Sequence, residues 1–144
     1  YIMNPSVWAP PFWFTLHTLS MTYPLHPNTV TKKKYYELIA DIPLFLPHRN
    51  IGNQFAKLLD EFPVEPYLSS RFSFMKWVHF IHNKMNVYLG KKEITFYDFL
   101  NSYNKHYEPI DITQKKEYKW KKRYIEISVL VALFLAVVYS YKNK

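Results

Sequence analysis

The chain has 144 residues, a net charge of +8 and no cysteine, and its length predicts a single domain. Aromatic residues make up 19% of it and glycine occurs only twice, which argues against a disordered polymer. The lack of cysteine excludes disulfides and thiolate metal sites within these residues. Residues 1–114 carry 11 Lys and Arg against 9 Asp and Glu, whereas residues 115–144 carry 8 against 2. Because the basic excess lies in the tail, we expect no nucleic-acid groove on the domain.

The first predicted helix covers residues 12–22. Pro10 and Pro11 suit its first turn, where proline is tolerated. The N-terminus shows neither a basic region nor an apolar run, so no signal peptide is expected, and Met3 is a candidate start. Four residues of the helix share a face at helical spacing: Trp13, Leu16, His17 and Ser20. Taken alone, this face predicts a packed core with a hydrogen-bonded histidine.

Two further helices follow. Residues 28–46 form the second, with three exposed lysines in its first turn and Pro43 ending or kinking it. Its apolar stripe consists of Tyr35, Leu38, Ile39 and Ile42. The third helix opens near residue 47 and ends at Phe62, and its inward residues are Phe55, Leu58, Leu59 and Phe62. Residues 63–66, with two prolines, predict a loop.

The fourth helix, over residues 74–90, has the strongest pattern. Its apolar stripe consists of Phe74, Trp77, Val78, Ile81, Met85 and Leu89. Ser69 or Ser70 caps its start, and Gly90 suits a left-handed stop. Its polar face consists of His79, His82, Asn83 and Asn86. These polar side chains need hydrogen-bond partners from the protein or from a ligand. Two histidines alone do not indicate a metal site. Thr95 is expected to cap a short fifth helix over residues 96–107.

Two sequence motifs stand out along the chain. The first motif is Trp8-Ala9-Pro10-Pro11-Phe12-Trp13-x-x-Leu16-His17-x-x-x-x-x-Tyr23-Pro24. The second is Trp77-x-x-x-x-His82-Asn83-x-x-Asn86-x-x-Leu89-Gly90-Lys91. Together they resemble the Erv/ALR family of FAD-linked sulfhydryl oxidases, especially its forms in large DNA viruses. They occur in the family's order, and the resemblance covers about residues 7–107.

The resemblance implies an all-α fold over residues 1–107, a four-helix bundle of Erv/ALR type with a short fifth helix. It also implies a homodimer as one possible assembly. The positions that match the family's FAD pocket are Trp13, His17, Tyr23, His82, Asn83, Asn86, Lys91 and Tyr103. A structural cystine of the family would join the positions of His79 and Phe96. We expect aromatic packing by Phe80, Phe96 and Phe99 to offset its loss.

The departure from the family lies in residues 47–55, which resemble its P-C-x-x-C-x-x-x-F segment. His48 and Ile51 occupy the positions of the two redox cysteines. Thiol oxidation needs an attacking thiolate and a resolving thiol, and neither imidazole nor an aliphatic chain supplies one. His48 can act as a base, but a base without a nucleophile oxidises no thiol. We therefore expect no catalytic residue and no enzyme activity, no metal, and no cofactor, with FAD as the alternative.

The tail predicts a membrane anchor. Residues 108–123 form a basic juxtamembrane linker, residues 124–141 a transmembrane helix and residues 142–144 a short tail. The 18 residues of the helix are near the lower limit for a span, and the alternative is a buried core helix. Six Lys and Arg precede the span and two follow it. This asymmetry predicts that the domain faces the cytosol, with the basic run near anionic lipid head groups.

Three functions compete. The first is a non-catalytic, membrane-anchored viral structural protein, a minor capsid or assembly protein that tethers an inner membrane to the capsid. Its partners would be the lipid membrane and capsid or other virion proteins. It would reside in the virion inner membrane or a host internal membrane, facing the capsid. The second is a flavin-binding protein without thiol chemistry. The third is an oxidase subunit that works with a partner's cysteines.

Overall fold

The computed structural model of the chain describes residues 3–107, 120–132 and 139, and these described residues are helical apart from their connections. The helices up to residue 107, in chain order, are α1 (Pro5–Met21), α2 (Thr29–Phe45), α3 (Arg49–Glu61), α4 (Arg71–Tyr88) and α5 (Phe96–Tyr107). A short 3-10 helix (Glu65–Ser69) precedes α4. The predicted all-α class is confirmed.

Side-chain caps set several of the helix starts. Asn28 Oδ1 accepts from Thr31 N at the start of α2 (2.8 Å). Ser70 Oγ accepts from Ser73 N at the start of α4 (3.2 Å). Each cap satisfies a backbone N–H that has no partner within its helix. Gly90 follows α4 with φ of 70°, the left-handed stop that the sequence predicts.

The structure corrects the predicted start of α1. The helix begins at Pro5 rather than at Phe12, because Asn4 Oδ1 caps it through Ser6 N (3.0 Å) and Pro5 occupies its first position. Pro10 and Pro11 therefore lie inside the helix. The extra turns also bury Ala9 in the core.

Two smaller expectations are wrong, and a third is corrected in one of its alternatives. Residues 63–66 are not wholly a loop, because the 3-10 helix begins at Glu65. Of the two effects expected of Pro43, an end or a kink, the end does not occur, because α2 continues to Phe45. Leu38 is not part of the inward stripe of α2, since it is 45% exposed while Ile39 is fully buried. Because Leu38 directly precedes Ile39 on the helix, its side chain points away from the buried face.

The core is built around α4. The apolar stripe predicted for this helix is confirmed: its residues from Phe74 to Met85 are at most 2% exposed, and Leu89 packs against the core. Helix α1 and helix α3 pack on α4, α2 packs on α3, and the 3-10 helix fills the corner between α2 and α4. Trp77 Nε1 donates to Phe62 O (3.0 Å), which ties the stripe to the end of α3.

His79 and Phe96, the positions that correspond to the family's cystine, are in contact. The rings of His79 and Phe96 are 5.3 Å apart between centroids, and Phe99 is 5.3 Å from His79. Phe80 does not join them, contrary to the expectation. It is 38% exposed and packs edge-on against Phe62, with 4.9 Å between ring centroids.

Residues 104–144 form a second unit. Within it, residues 120–132 are helical and exposed. The described residues include no helix that is both long enough and apolar enough to cross a bilayer. The span predicted over residues 124–141 extends into 133–138 and 140–141, which lie outside the described part, as does the linker segment 108–119.

Candidate functional site

The candidate site centres on two histidines from different helices. His17 on α1 and His82 on α4 share a hydrogen bond between Nε2 and Nδ1, respectively, at 2.9 Å. His17 is completely buried, and Ser20 beside it donates to His17 O (2.7 Å). The predicted inward face of α1 is therefore confirmed, and its histidine has the hydrogen bond that burial requires.

Aromatic rings enclose this pair. Trp13 stacks on His82 with 4.1 Å between centroids and 8° between planes. Phe99 and Tyr103 of α5 lie 4.3 Å and 5.1 Å from the His17 ring. Tyr103 also donates from its hydroxyl to Trp13 O (3.2 Å). Four of the residues predicted for the pocket, Trp13, His17, His82 and Tyr103, are thus in one cluster.

The environment keeps both imidazoles neutral. Burial lowers the pKa of His17 from 6.5 to about 3, with smaller contributions from His82 and His79. Burial also lowers the pKa of His82 to about 4, with contributions from His79 and Lys91. A neutral pair can share one proton along its hydrogen bond, with one ring donating and the other accepting. The cluster is therefore a hydrogen-bonding surface rather than a cation.

Two buried nitrogen atoms near this cluster have no hydrogen-bond partner in the described part of the chain: His17 Nδ1 and Trp8 Nε1. Trp8 belongs to a narrow cleft beside the cluster, which Trp13 also lines. The other walls of the cleft are apolar: Ala9, Phe12, Leu46, Ile51, Phe55, Met85 and Leu89. Unpaired buried polar atoms are rare and require an explanation. A bound ligand with polar edges would explain them, because it would supply the missing hydrogen-bond partners.

Tyr23, another of the predicted pocket residues, lies apart from the cluster. Tyr23 is fully buried, donates its hydroxyl to Leu68 O (2.9 Å) and contacts the Tyr35 and Phe74 rings. Its backbone carbonyl accepts from Arg71 Nε. Tyr23 therefore has a structural place between α1 and the 3-10 helix.

The second motif contributes polar residues with different surroundings. Asn83 uses both ends of its amide on the backbone of Ile94, at 2.8 Å and 3.0 Å. Asn86 is 7% exposed, and its backbone carbonyl accepts a hydrogen bond from Lys91 N (2.8 Å). Lys91 is exposed but close enough to His82 to lower its pKa. It brings a positive charge to the rim of the cluster.

The two redox positions lie at the start of α3. His48 is the N-cap residue of α3, and its Nδ1 is buried without a partner among the described residues. Ile51 is 6% exposed and lines the cleft with Trp8 and Trp13. The structure therefore places an aliphatic side chain at the cleft wall, next to the aromatic rings.

Sequence reasoning missed two contributors. Trp8 enters the sequence prediction only as part of a motif, although it lines the cleft and carries an unpaired N–H. The sequence predicts that Phe99 helps offset the missing cystine, and the structure shows that it also covers His17. Its spacing of four residues from Tyr103 on α5 is a signal that could have found it, because such residues share a helix face.

The comparison with known families fits this architecture. The profile of the Erv1 / Alr family matches residues 10–109, which is more than half of the chain. The chain belongs to this family of proteins related to FAD-linked sulfhydryl oxidases. Both sequence motifs lie within the matched region or overlap it.

Individual relatives agree with the family. A probable FAD-linked sulfhydryl oxidase of Acanthamoeba polyphaga mimivirus is 30% identical over 119 residues, 82% of this chain and 81% of the relative. The FAD-linked sulfhydryl oxidase ERV2 of Saccharomyces cerevisiae is 34% identical over 79 residues, 55% of this chain and 39% of the relative. The crystal structure of the yeast Erv1 core has a TM-score of 0.62 at 22% identity, covering 74% of this chain and 85% of that chain. This last likeness concerns the fold alone.

Proposed function

We propose that this chain is a non-catalytic member of its family that acts as a membrane-anchored structural protein in a virus. In this role it is a minor capsid or assembly protein that connects an inner membrane to the capsid. The observation that carries the proposal is the composition: the 144 residues contain no cysteine, and His48 and Ile51 stand where the redox pair would be.

The chemistry at these two positions supports the loss of activity. Oxidation of a dithiol requires a thiolate that attacks, a disulfide that forms and a thiol that leaves. Ile51 has no reactive atom and is buried in the cleft wall. His48 has a nitrogen base but no sulfur partner. The domain thus keeps the fold of the family without the groups that carry out its reaction.

The tail supports the anchor. Residues 127–141 contain no charge, glycine or proline, and residues 115–123 carry six basic residues. At about 1.5 Å rise per residue, residues 124–141 would extend roughly 27 Å as a helix, close to the thickness of a thin hydrocarbon core. The viral setting is supported by the mimivirus relative, which the chain matches over 82% of its length.

Oxygen consumption with dithiothreitol tests the loss of catalysis. The wild-type protein, with and without added FAD, should match a control without protein. His48→Cys combined with Ile51→Cys is the informative variant, because it returns a dithiol to the start of α3 with the rest of the chain unchanged. Turnover by the cysteine-free wild type would contradict the proposal.

Extraction of membranes with carbonate tests the anchor. The full-length chain should remain in the pellet, and a chain ending at Thr113 should be released. A full-length control, Leu130→Lys with Leu133→Lys, places two charges in the proposed span, where each costs about 3 kcal/mol, and should also be released. Extraction of the wild type as readily as this variant would contradict the anchor. Association of the anchored protein with purified capsids would then test the tether.

A second candidate function, flavin binding without thiol oxidation, is favoured by the unpaired Trp8 Nε1 and His17 Nδ1. The cleft beside Trp8 holds only about 10 Å³, enough for about one water, so FAD binding would require its aromatic walls to move apart. Trp13, His82 and Lys91 would contribute stacking, a hydrogen-bonding edge and a positive charge. Bound FAD would supply a two-electron acceptor. Titration with FAD, followed by tryptophan fluorescence, separates the candidates: stoichiometric quenching that Trp8→Phe weakens would favour this one.

A further inference from the structure

The connection between α4 and α5 is bonded to side chains of α4 at Ile94. The amide of Asn83 bonds to it in both directions: Nδ2 donates to Ile94 O (2.8 Å), and Ile94 N donates to Oδ1 (3.0 Å). His79, one turn earlier on α4, donates from Nε2 to the same carbonyl (2.9 Å). The side chain of Asn83 thus pairs with Ile94 as a neighbouring backbone strand would.

The contact point lies directly before α5. Thr95 caps this helix: its Oγ1 accepts from Asp98 N (3.1 Å) and donates to Asp98 Oδ2 (2.7 Å). A residue fixed to α4 is therefore followed at once by the residue that starts α5. The hydrogen bonds at Ile94 determine where α5 begins.

Beyond this point α5 is attached through side chains. None of the other described helices has Cα atoms packed within 8 Å of those of α5. Its contacts with the bundle come from rings: Phe96 meets His79, Phe99 covers His17, and Tyr103 stacks on Phe14 at 5.2 Å. Helix α5 up to Tyr103 thus covers the His17 ring, one member of the His17–His82 pair.

We propose that Asn83 and His79, with Ile94, form a latch that holds α5 as a lid over the His17–His82 pair. When the latch opens, Phe99 and Tyr103 move away from the histidines, and His17 Nδ1 becomes accessible to a ligand. Asn83 acts on the site through Ile94, as a positioning residue rather than by contact with a ligand. The proposal does not depend on the membrane tether.

Hydrogen exchange of the full-length protein tests the latch. Asn83→Ala removes both of its hydrogen bonds with Ile94, and we expect exchange in residues 94–103 to become about tenfold faster. Exchange in α1 and α3 should remain unchanged. Asn53→Ala, an exposed asparagine on α3, is the matched control and should not alter the lid. Unchanged exchange in residues 94–103 of Asn83→Ala would overturn the proposal.

The distribution of exchange over the bundle distinguishes a latch from a general loss of stability. A latch predicts faster exchange in residues 94–103 alone, whereas a general loss of stability predicts faster exchange in α1 and α3 as well. If Asn83→Ala exchanges faster throughout the bundle, the latch is wrong.

Chemical labelling provides a readout at the histidines themselves. Diethyl pyrocarbonate modifies accessible neutral imidazoles, and mass spectrometry locates the modified residue. Labelling of His17 should rise in Asn83→Ala by the same factor as exchange in the lid, and should stay at the wild-type level in Asn53→Ala. Equal labelling of wild type and Asn83→Ala would overturn the proposal.

Discussion

His17 and His82 are 65 residues apart in the chain and share a hydrogen bond of 2.9 Å. The bond joins the motif on α1 to the motif on α4, and it does so inside the core, where His17 is fully buried. Because each ring can then satisfy one nitrogen of the other, the pair remains neutral in a position where a charge would be costly. The hydrogen-bonded pair therefore places polar side chains between α1 and α4, inside an otherwise apolar core.

The pair makes stability depend on pH. The pKa values of His17 and His82 fall from 6.5 in an exposed imidazole to about 3 and about 4. Between these values and 6.5 the unfolded chain binds protons that the folded chain does not bind. The free energy of unfolding should therefore be greatest above pH 6.5, decrease as the pH falls toward 4, and level off only below about 3.

Urea unfolding at a series of pH values measures this dependence. His82→Gln keeps a polar side chain but removes one titrating group, so the decrease between pH 6.5 and pH 4 should become shallower. His26→Gln changes an exposed histidine outside the cluster and serves as the control. If the free energy of unfolding of His82→Gln falls as steeply with decreasing pH as that of the control, the prediction is wrong.

Tyr23→Phe should destabilise the fold. The change removes the donor to Leu68 O and leaves a buried carbonyl without a partner, which costs about 1–3 kcal/mol. Thermal unfolding measures the cost. Tyr35→Phe, on the ring that meets Tyr23 at 4.6 Å, is the control and should cost less. If the two variants unfold at the same temperature, the hydrogen bond to Leu68 is not important for stability.

Gly52→Ala should also be destabilising, for a steric reason. A Cβ at this position would lie 2.7 Å from Pro43 O, where the backbones of α2 and α3 come close. One helix must shift to make room, at a cost of about 1–3 kcal/mol. Asn53→Ala, the next residue along the exposed side of α3, is the control for helix propensity. An unfolding temperature equal to that of the control would show that the close approach relaxes without cost.

Gly90 is required for a different reason, its backbone conformation. A Cβ there would meet nothing within 4 Å, but φ is 70°. Gly90→Ala should therefore cost about 1–2 kcal/mol through the left-handed conformation alone. Gly90→Asn should cost less, since asparagine tolerates this region better. Equal costs for the two substitutions in chemical unfolding would argue against the backbone explanation.

The sequence predicted the later helices better than the first. For α5, the capping Thr95 and the bounds Phe96–Tyr107 are as expected, because a cap and the surrounding pattern agree. For α1, the two prolines suggested a start that the structure places earlier, at Pro5. A proline signal is ambiguous, since it fits both a first helical turn and an interior position that the surrounding packing tolerates.

The candidate site was predicted in part. Trp13, His17, His82 and Tyr103 were all named from the sequence, and the structure brings them together. Tyr23 and Asn83 were named with them, but their polar groups bond to Leu68 and Ile94. A motif identifies which residues belong to a conserved arrangement of a family, but it does not say which atoms each polar group finds as a partner.

By itself, the sequence determined three things about this protein. The helical periodicity of α4 specified which residues would be buried, because burial of an apolar stripe requires only local spacing. The two motifs determined the family, and the absence of cysteine excluded disulfides and thiolate ligands within these residues. The tertiary structure alone decided that His17 bonds to His82, that Asn83 holds Ile94, and that Trp8 Nε1 has no partner in the described residues. The two hydrogen bonds join residues 11 or more positions apart, and the unpaired Trp8 Nε1 depends on which acceptors the surrounding helices bring near it. Both follow from the packing of several helices at once.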